Sequence, residues 1–98
     1  MGVLFVVSEL QDGTTVFDVA RRMALTGEKI DFLFTSEACR YVYDPGFVSS
    51  LGFAEGVHCL DPDLSQIGDE KPVGGVRSVD YSGWVELVEA NEKIVSWA

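Results

Sequence analysis

Apolar segments recur along the chain at a spacing that predicts five β-strands. Residues 3–7 are a continuous apolar run, and residues 30–35 contain three successive apolar side chains, as is typical of strands that a parallel sheet buries on both faces. Residues 56–60 form the third strand. Residues 76–79 alternate between apolar and polar, so the fourth strand is expected nearer an edge, and residues 94–97 are a short fifth strand.

Helical patterns separate the first three strands. Gly27 ends the first helix, whose apolar face consists of Val16, Val19, Ala20, Met23 and Ala24. After the second strand, a short helix or turn over residues 38–43 is broken at Asp44-Pro45-Gly46, and one further turn reaches residue 51.

Capping residues mark two later helices. After the third strand Asp61 is a suitable N-cap, Pro62 fits the first helical position, and Gly68 is placed to end the helix. A polar loop over residues 69–75 follows. Asp80 or Ser82 caps the last helix, whose apolar face is predicted to consist of Tyr81, Trp84, Val85 and Val88.

The order βαβαβαβαβ predicts a single α/β domain over residues 1–98, with three layers and a mainly parallel sheet of four or five strands. We expect a flavodoxin-like order, in which the second and third strands flank the first. In that order the tips of the second and third strands are roughly 10 Å apart. Cys39 and Cys59 follow those tips, so a disulfide between them is not expected.

Composition narrows the classes of function. The formal net charge of −9 argues against a free-standing nucleic-acid binder, because phosphate affinity comes from Lys and Arg. Two cysteines cannot form a disulfide framework, which favours the reducing cytoplasm. One histidine and no CxxC motif predict no metal site, and no phosphate-binding glycine motif is present, so no cofactor is expected. The short apolar opening predicts neither a signal peptide nor a membrane span.

Cys59 is the candidate for chemistry. It ends a predicted strand just before a helix N-terminus, where ligands gather in open α/β sheets and where a thiolate is favoured over a thiol. Asp61 and Asp63 oppose that effect. His58 points to the other face of the strand and is a poor base for the thiol. The alternative is that Cys59 is inert packing, as many buried cysteines are.

The last third of the chain resembles a known family. Residues 79–88 (VDYSGWVELV) and 92–97 (EKIVSW) resemble the C-terminus of DsrH/TusB-type proteins, the smallest members of the DsrE/DsrF/DsrH (TusD/TusC/TusB) sulfur-relay group. Residues 60–64 (LDPDL) through Gly68 match that family's turn from the third strand into a helix. The turn at residues 37–39 (EAC) departs from the family pattern, and Ile67 replaces a frequent arginine.

The resemblance implies a role for Cys59. In the DsrE/TusD branch, a cysteine at the end of the third strand, five residues before a helix leucine, carries sulfur as a persulfide. Cys59 and Leu64 reproduce that spacing. Many DsrH/TusB-type chains act without this cysteine, so the sequence combines a DsrH-like frame with a DsrE-like cysteine.

Three hypotheses follow. In the first, the Cys59 thiolate takes sulfur from a donor persulfide and passes it to an acceptor protein, a sulfurtransferase-like activity that needs no cofactor. In the second, the chain is a non-catalytic structural subunit of a sulfur-relay hetero-oligomer. In the third, it binds a small ligand in a crevice between the first and third strands. The pathway is open between tRNA thiolation, with any RNA held by a partner, and sulfur oxidation or other trafficking.

Association with other chains is expected in either of the first two hypotheses, as a homo-oligomer or with related sulfur-relay subunits. A domain of this length buries a limited core. The loop-rich middle is also rich in aromatic residues, namely Tyr41, Tyr43, Phe47 and Phe53. These rings either form an interface or pack internally over the sheet edge.

Overall fold

Five strands form one parallel sheet in the computed structural model, which describes residues 2–11, 13, 15–61 and 75–97. The strands are β1 (Gly2–Val7), β2 (Lys29–Phe34), β3 (Gly56–Leu60), β4 (Val76–Val79) and β5 (Lys93–Trp97). All five strands that the sequence predicts are present, and each predicted bound either agrees with the structure or differs from it by one residue. The prediction of a single α/β domain with a mainly parallel sheet is confirmed.

Four helical elements connect the strands within the described residues. They are α1 (Thr15–Leu25), a 3-10 helix (Ser36–Tyr43), α2 (Pro45–Ser50) and α3 (Tyr81–Ala90). The break predicted at residues 44–46 is real: Asp44 caps α2, its Oδ1 accepting from the amides of Gly46 and Phe47 at 3.0 and 3.2 Å. The predicted helix from Asp61 to Gly68 and the predicted loop over residues 69–75 lie outside the described residues, except for Asp61 and Gly75 at their two ends.

The strand order is β4-β3-β2-β1-β5, so the flavodoxin-like order expected from the sequence is wrong. Here β2, not β1, is the neighbour of β3, and β1 pairs with β2 and β5. The chain steps one strand at a time from β1 to β4, and α3 then carries it back across the sheet to place β5 beside β1. The predicted edge position of β4 is confirmed.

Strand alternation divides the core into two layers. Val3, Phe5, Phe32 and their neighbours on alternate positions face α1 and the 3-10 helix, and these side chains are fully buried. The opposite face carries Leu4, Val6 and Leu33, which pack against α3. Helices therefore cover both faces of the sheet, as the crossover rule for parallel strands requires.

The aromatic residues of the middle section pack internally. Phe17 of α1 meets Tyr41 and Phe47 edge-on, with ring centroids 5.6 and 4.9 Å apart, and Phe53 meets Phe32 at 6.0 Å. Burying such rings is a large part of the stabilisation of a small core. They cover the sheet and do not form an exposed aromatic patch, so the internal alternative raised from the sequence is the correct one.

Candidate functional site

Cys59 is the penultimate residue of β3, as the sequence predicts, but its side chain points into the core. It lies in register with Phe34 of β2 and Ser78 of β4, and it faces the layer formed by α1 and the 3-10 helix. Its exposed fraction is 0%. Cys59 thus lies near the carboxyl end of its strand, as predicted, but its sulfur is enclosed by the core.

Cys39 is brought to the same part of the core. It lies in the 3-10 helix, is fully buried, and its Sγ donates a hydrogen bond to the carbonyl oxygen of Phe34 at 3.3 Å. Because β2 and β3 are adjacent, the two-strand separation on which we based the distance between the cysteines does not apply. Both are present as thiols, and Phe34 lies next to each of them.

A cysteine thiol can carry sulfur only if its sulfur atom can contact the donor molecule. Thiol exchange requires the attacking sulfur to reach the outer sulfur of a persulfide. A thiol with no exposed surface meets that requirement only after the surrounding core opens. Leu64 and Asp63, which complete the sequence argument for Cys59, lie outside the described residues.

A second group of polar side chains lies on the opposite face, near the starts of β2 and β3. His58 Nε2 is 3.6 Å from Asp31 Oδ1, and Asn91 Nδ2 donates to Asp31 Oδ2 at 3.2 Å and to the Leu87 carbonyl at 2.8 Å. Gly56 provides the room for this contact, because a Cβ there would lie 2.7 Å from His58 Nε2. These residues line a cavity of about 640 Å³.

The electrostatics of this cavity are mixed. Burial lowers the pKa of His58 below 6.5, and Arg77 contributes in the same direction, while Asp31 acts against both. Lys29 also lines the cavity, as do the carboxylates of Glu55 and Glu92. The arrangement keeps His58 neutral near pH 7 and could accommodate a small polar molecule.

Sequence reasoning placed His58 correctly as a residue facing away from Cys59, but it missed this cluster. Asp31, His58 and Asn91 are far apart in sequence and no motif links them. The sequence offered one weak indication of the cluster, namely the glycines that begin β1 and β3. Gly2 leaves room for the side chain of Asn91, and Gly56 leaves room for that of His58. The ligand crevice expected between the first and third strands does not exist, because β2 lies between them.

The outer surface of α3 forms a third feature. Leu87 and Trp84 are partly buried against the sheet, whereas Tyr81, Val85 and Val88 are 60%, 56% and 40% exposed. Of the four residues of the predicted apolar face, only Trp84 packs against the sheet. Tyr81, Trp84, Val85 and Val88 line an apolar groove, which we call the α3 groove.

The described residues contain neither a candidate metal site nor a candidate membrane-spanning helix. Among them, no group of three or more His, Cys, Asp or Glu side chains is placed to hold a metal ion. Within the same part of the chain, no helix is both long and apolar enough to cross a membrane.

The fold is a single α/β domain with a five-stranded parallel sheet flanked by helices. A crystal structure of the YchN protein from E. coli matches it with a TM-score of 0.73, over 98% of each chain, at 9% sequence identity. At that identity the likeness establishes the fold alone. Comparison with models of protein families and with curated protein sequences gives no match.

Proposed function

We propose that this chain is a non-catalytic subunit of a sulfur-relay hetero-oligomer, in which a related partner chain carries the sulfur. The DsrE-type fold supports the assignment to sulfur relay. The observation that carries the structural role is the complete burial of Cys59. The DsrE-like cysteine is present in sequence, yet its sulfur faces the core and not a docking surface.

Two costs oppose sulfur carriage by Cys59 in the native fold. A persulfide adds a second sulfur atom, and inserting extra atoms into a packed core costs about 1–3 kcal/mol. The donor and acceptor must also reach the sulfur, which requires the residues packed around it to move away. A partner with an exposed cysteine avoids both costs.

Sulfur carriage by Cys59 is the competing function, and its position favours it. The residue lies at the carboxyl end of β3, where parallel α/β sheets place their ligands. In that function the Cys59 thiolate attacks the outer sulfur of a donor persulfide, the donor leaves as a thiolate, and Cys59 keeps the sulfur as Cys–S–SH. No electron is gained or lost overall, because the donor already holds the sulfane sulfur.

Intact-mass analysis after incubation with a small-molecule persulfide donor distinguishes the two functions. For a structural subunit we expect no gain of one sulfur atom on the native protein, and loading of both thiols once denaturant exposes them. Cys59→Ser and Cys39→Ser provide matched controls, since each removes one thiol and little volume. Loading of the native protein that is lost in Cys59→Ser and retained in Cys39→Ser would establish the carrier and reject our proposal.

The assembly itself is tested by co-expression with DsrE- and DsrF-type chains, followed by size-exclusion chromatography and mass measurement of the eluted species. We expect a hetero-oligomer of fixed stoichiometry whose partner accepts sulfur in the loading assay. Elution of the chain apart from every such partner, at micromolar concentration, would contradict the proposed function.

A further inference from the structure

We infer that the α3 groove is the docking site for a partner helix whose apolar face is flanked by lysine or arginine side chains. This inference rests on the proposed function, because it specifies the surface through which the chain would join its assembly. The observations that carry it are the spacing of the exposed apolar residues on α3 and the sign of the charges beside them.

The apolar residues of the α3 groove have the spacing of a helix-packing stripe. Tyr81, Trp84, Val85 and Val88 occupy positions i, i+3, i+4 and i+7, which lie on one side of a helix. The rings of Tyr81 and Trp84 stack at one end of the groove, with centroids 6.4 Å apart. The stripe is two turns long, so it fits the apolar face of a second helix better than an extended strand.

The charged residues of α3 and of its flanking positions are all acidic. Residues 80–92 contain Asp80, Glu86, Glu89 and Glu92 and no lysine or arginine. At about 100° per residue, Glu89 lies next to Val85 around the helix and Glu86 lies beyond it. Within the described part of the chain, neither Glu86 nor Glu89 forms an ion pair. A basic partner would pair with carboxylates that form no ion pair in the described part of the chain.

The same charges disfavour a second copy of this chain. A contact between two α3 helices would place the glutamates of one copy near those of the other, and each copy carries a formal net charge of −9. Like charges in contact across an interface oppose binding, whereas complementary charges speed association and fix the register. The groove is therefore better suited to a different, basic chain.

A pair of synthetic peptides tests this inference on the intact protein. Each has about 18 residues, long enough to form a helix, with leucines at the i, i+3, i+4 and i+7 positions. One carries lysines and the other glutamates at the flanking positions. Binding is followed by the anisotropy of a label on the peptide and by the fluorescence of Trp84. We expect the lysine peptide to bind about tenfold or more tightly than the glutamate peptide, and more weakly as salt increases.

Two matched variants separate docking in the groove from general attraction to an acidic protein. Val85→Glu disrupts the stripe while making the protein more acidic, and we expect it to weaken binding of the lysine peptide about tenfold or more. Leu25→Glu makes the same change in charge at a residue of α1 that is 82% exposed. We expect this control to bind like the wild type. Circular dichroism checks that both variants are folded.

Each contrary result has a defined meaning. Equal binding of the two peptides, or unchanged binding in Val85→Glu, would overturn the inference. A wild-type dimer in sedimentation that Val85→Glu dissociates would identify a second copy as the occupant and also overturn it. Co-elution with a sulfur-relay chain that survives Val85→Glu would reject the docking site and leave the proposed function standing. Binding of the lysine peptide, without co-elution with any sulfur-relay chain, would support the docking site and reject the proposed function.

Discussion

The Nε2 atom of His58 lies 3.6 Å from Oδ1 of Asp31, and the ring is otherwise buried between the sheet and α3. Burial lowers the pKa of His58 below 6.5, with Arg77 contributing in the same direction, and Asp31 offsets part of the shift. The folded state therefore binds the proton less readily than the unfolded state does. Stability from this residue is fully present above about pH 6.5 and is lost as the pH falls through the lower folded-state pKa.

We accordingly expect the free energy of unfolding to decrease between pH 7 and pH 5 more steeply in the wild type than in His58→Gln. Urea unfolding at a series of pH values measures this difference. Asp31→Asn should steepen the decrease, because it removes the charge that favours the protonated ring. A wild-type profile parallel to that of His58→Gln would show that the imidazole does not titrate in this way.

Gly56 keeps the space that the His58 ring occupies. A Cβ at this position would lie 2.7 Å from His58 Nε2 and 3.0 Å from Asp31 Oδ1, so Gly56→Ala must displace the ring or the strand. We expect a loss of about 1–3 kcal/mol in the free energy of unfolding, as in other overpacked sites. Gly13→Ala is the matched control, since a Cβ there meets nothing within 4 Å. Equal effects of the two changes would contradict the prediction.

Asp80 fixes the start of α3. Its Oδ1 accepts a hydrogen bond from the amide of Gly83 at 2.8 Å, which settles the choice between Asp80 and Ser82 as the cap. Asp80→Ala should lower the free energy of unfolding by about 1 kcal/mol, the usual effect of losing an N-cap. Ser82→Ala should change it by less than about 0.5 kcal/mol, as at most surface positions. Thermal or urea unfolding of both variants provides the measurement.

The two thiols should report on opening of the core. Both are 0% exposed, so we expect labelling by a thiol reagent to be slow in the native protein and to follow the opening of the fold. Cys59→Ser and Cys39→Ser allow each rate to be read separately. Labelling of Cys59 at the rate of an unfolded thiol, with Cys39 still protected, would mean that β3 opens locally, and it would revive the sulfur-carrier function.

Much of the fold could be predicted because apolar runs and caps act locally. The runs at residues 3–7 and 30–35 identify buried parallel strands without any tertiary information, and Asp44 and Asp80 set their helix starts through their own side chains. Strand order could not be predicted in this way. The apolar runs of β1 and β2 are compatible with any central position in the sheet. The order of the strands depends instead on which helices pack on the same face of the sheet.

The candidate site was predicted only in part, for a related reason. The position of Cys59 on β3 follows from the local sequence, but the exposure of its sulfur depends on what the neighbouring elements place above it. The same limit applies to α3, whose apolar residues exceed the number that the sheet can cover. A helical stripe indicates that burial is favourable and does not identify the surface that provides it.

The pairing of β5 with β1 makes the sheet depend on the order of synthesis. β1 precedes β2, β3 and β4 in the chain, and these strands can be added in turn, but the other edge of β1 has no partner among the described strands until residues 93–97 follow. The most apolar strand of the nascent chain thus presents unpaired backbone amides for most of translation. An open strand edge of this kind is prone to pairing with other chains. A chain that lacks residues 93–97 would therefore leave one edge of β1 open to such pairing.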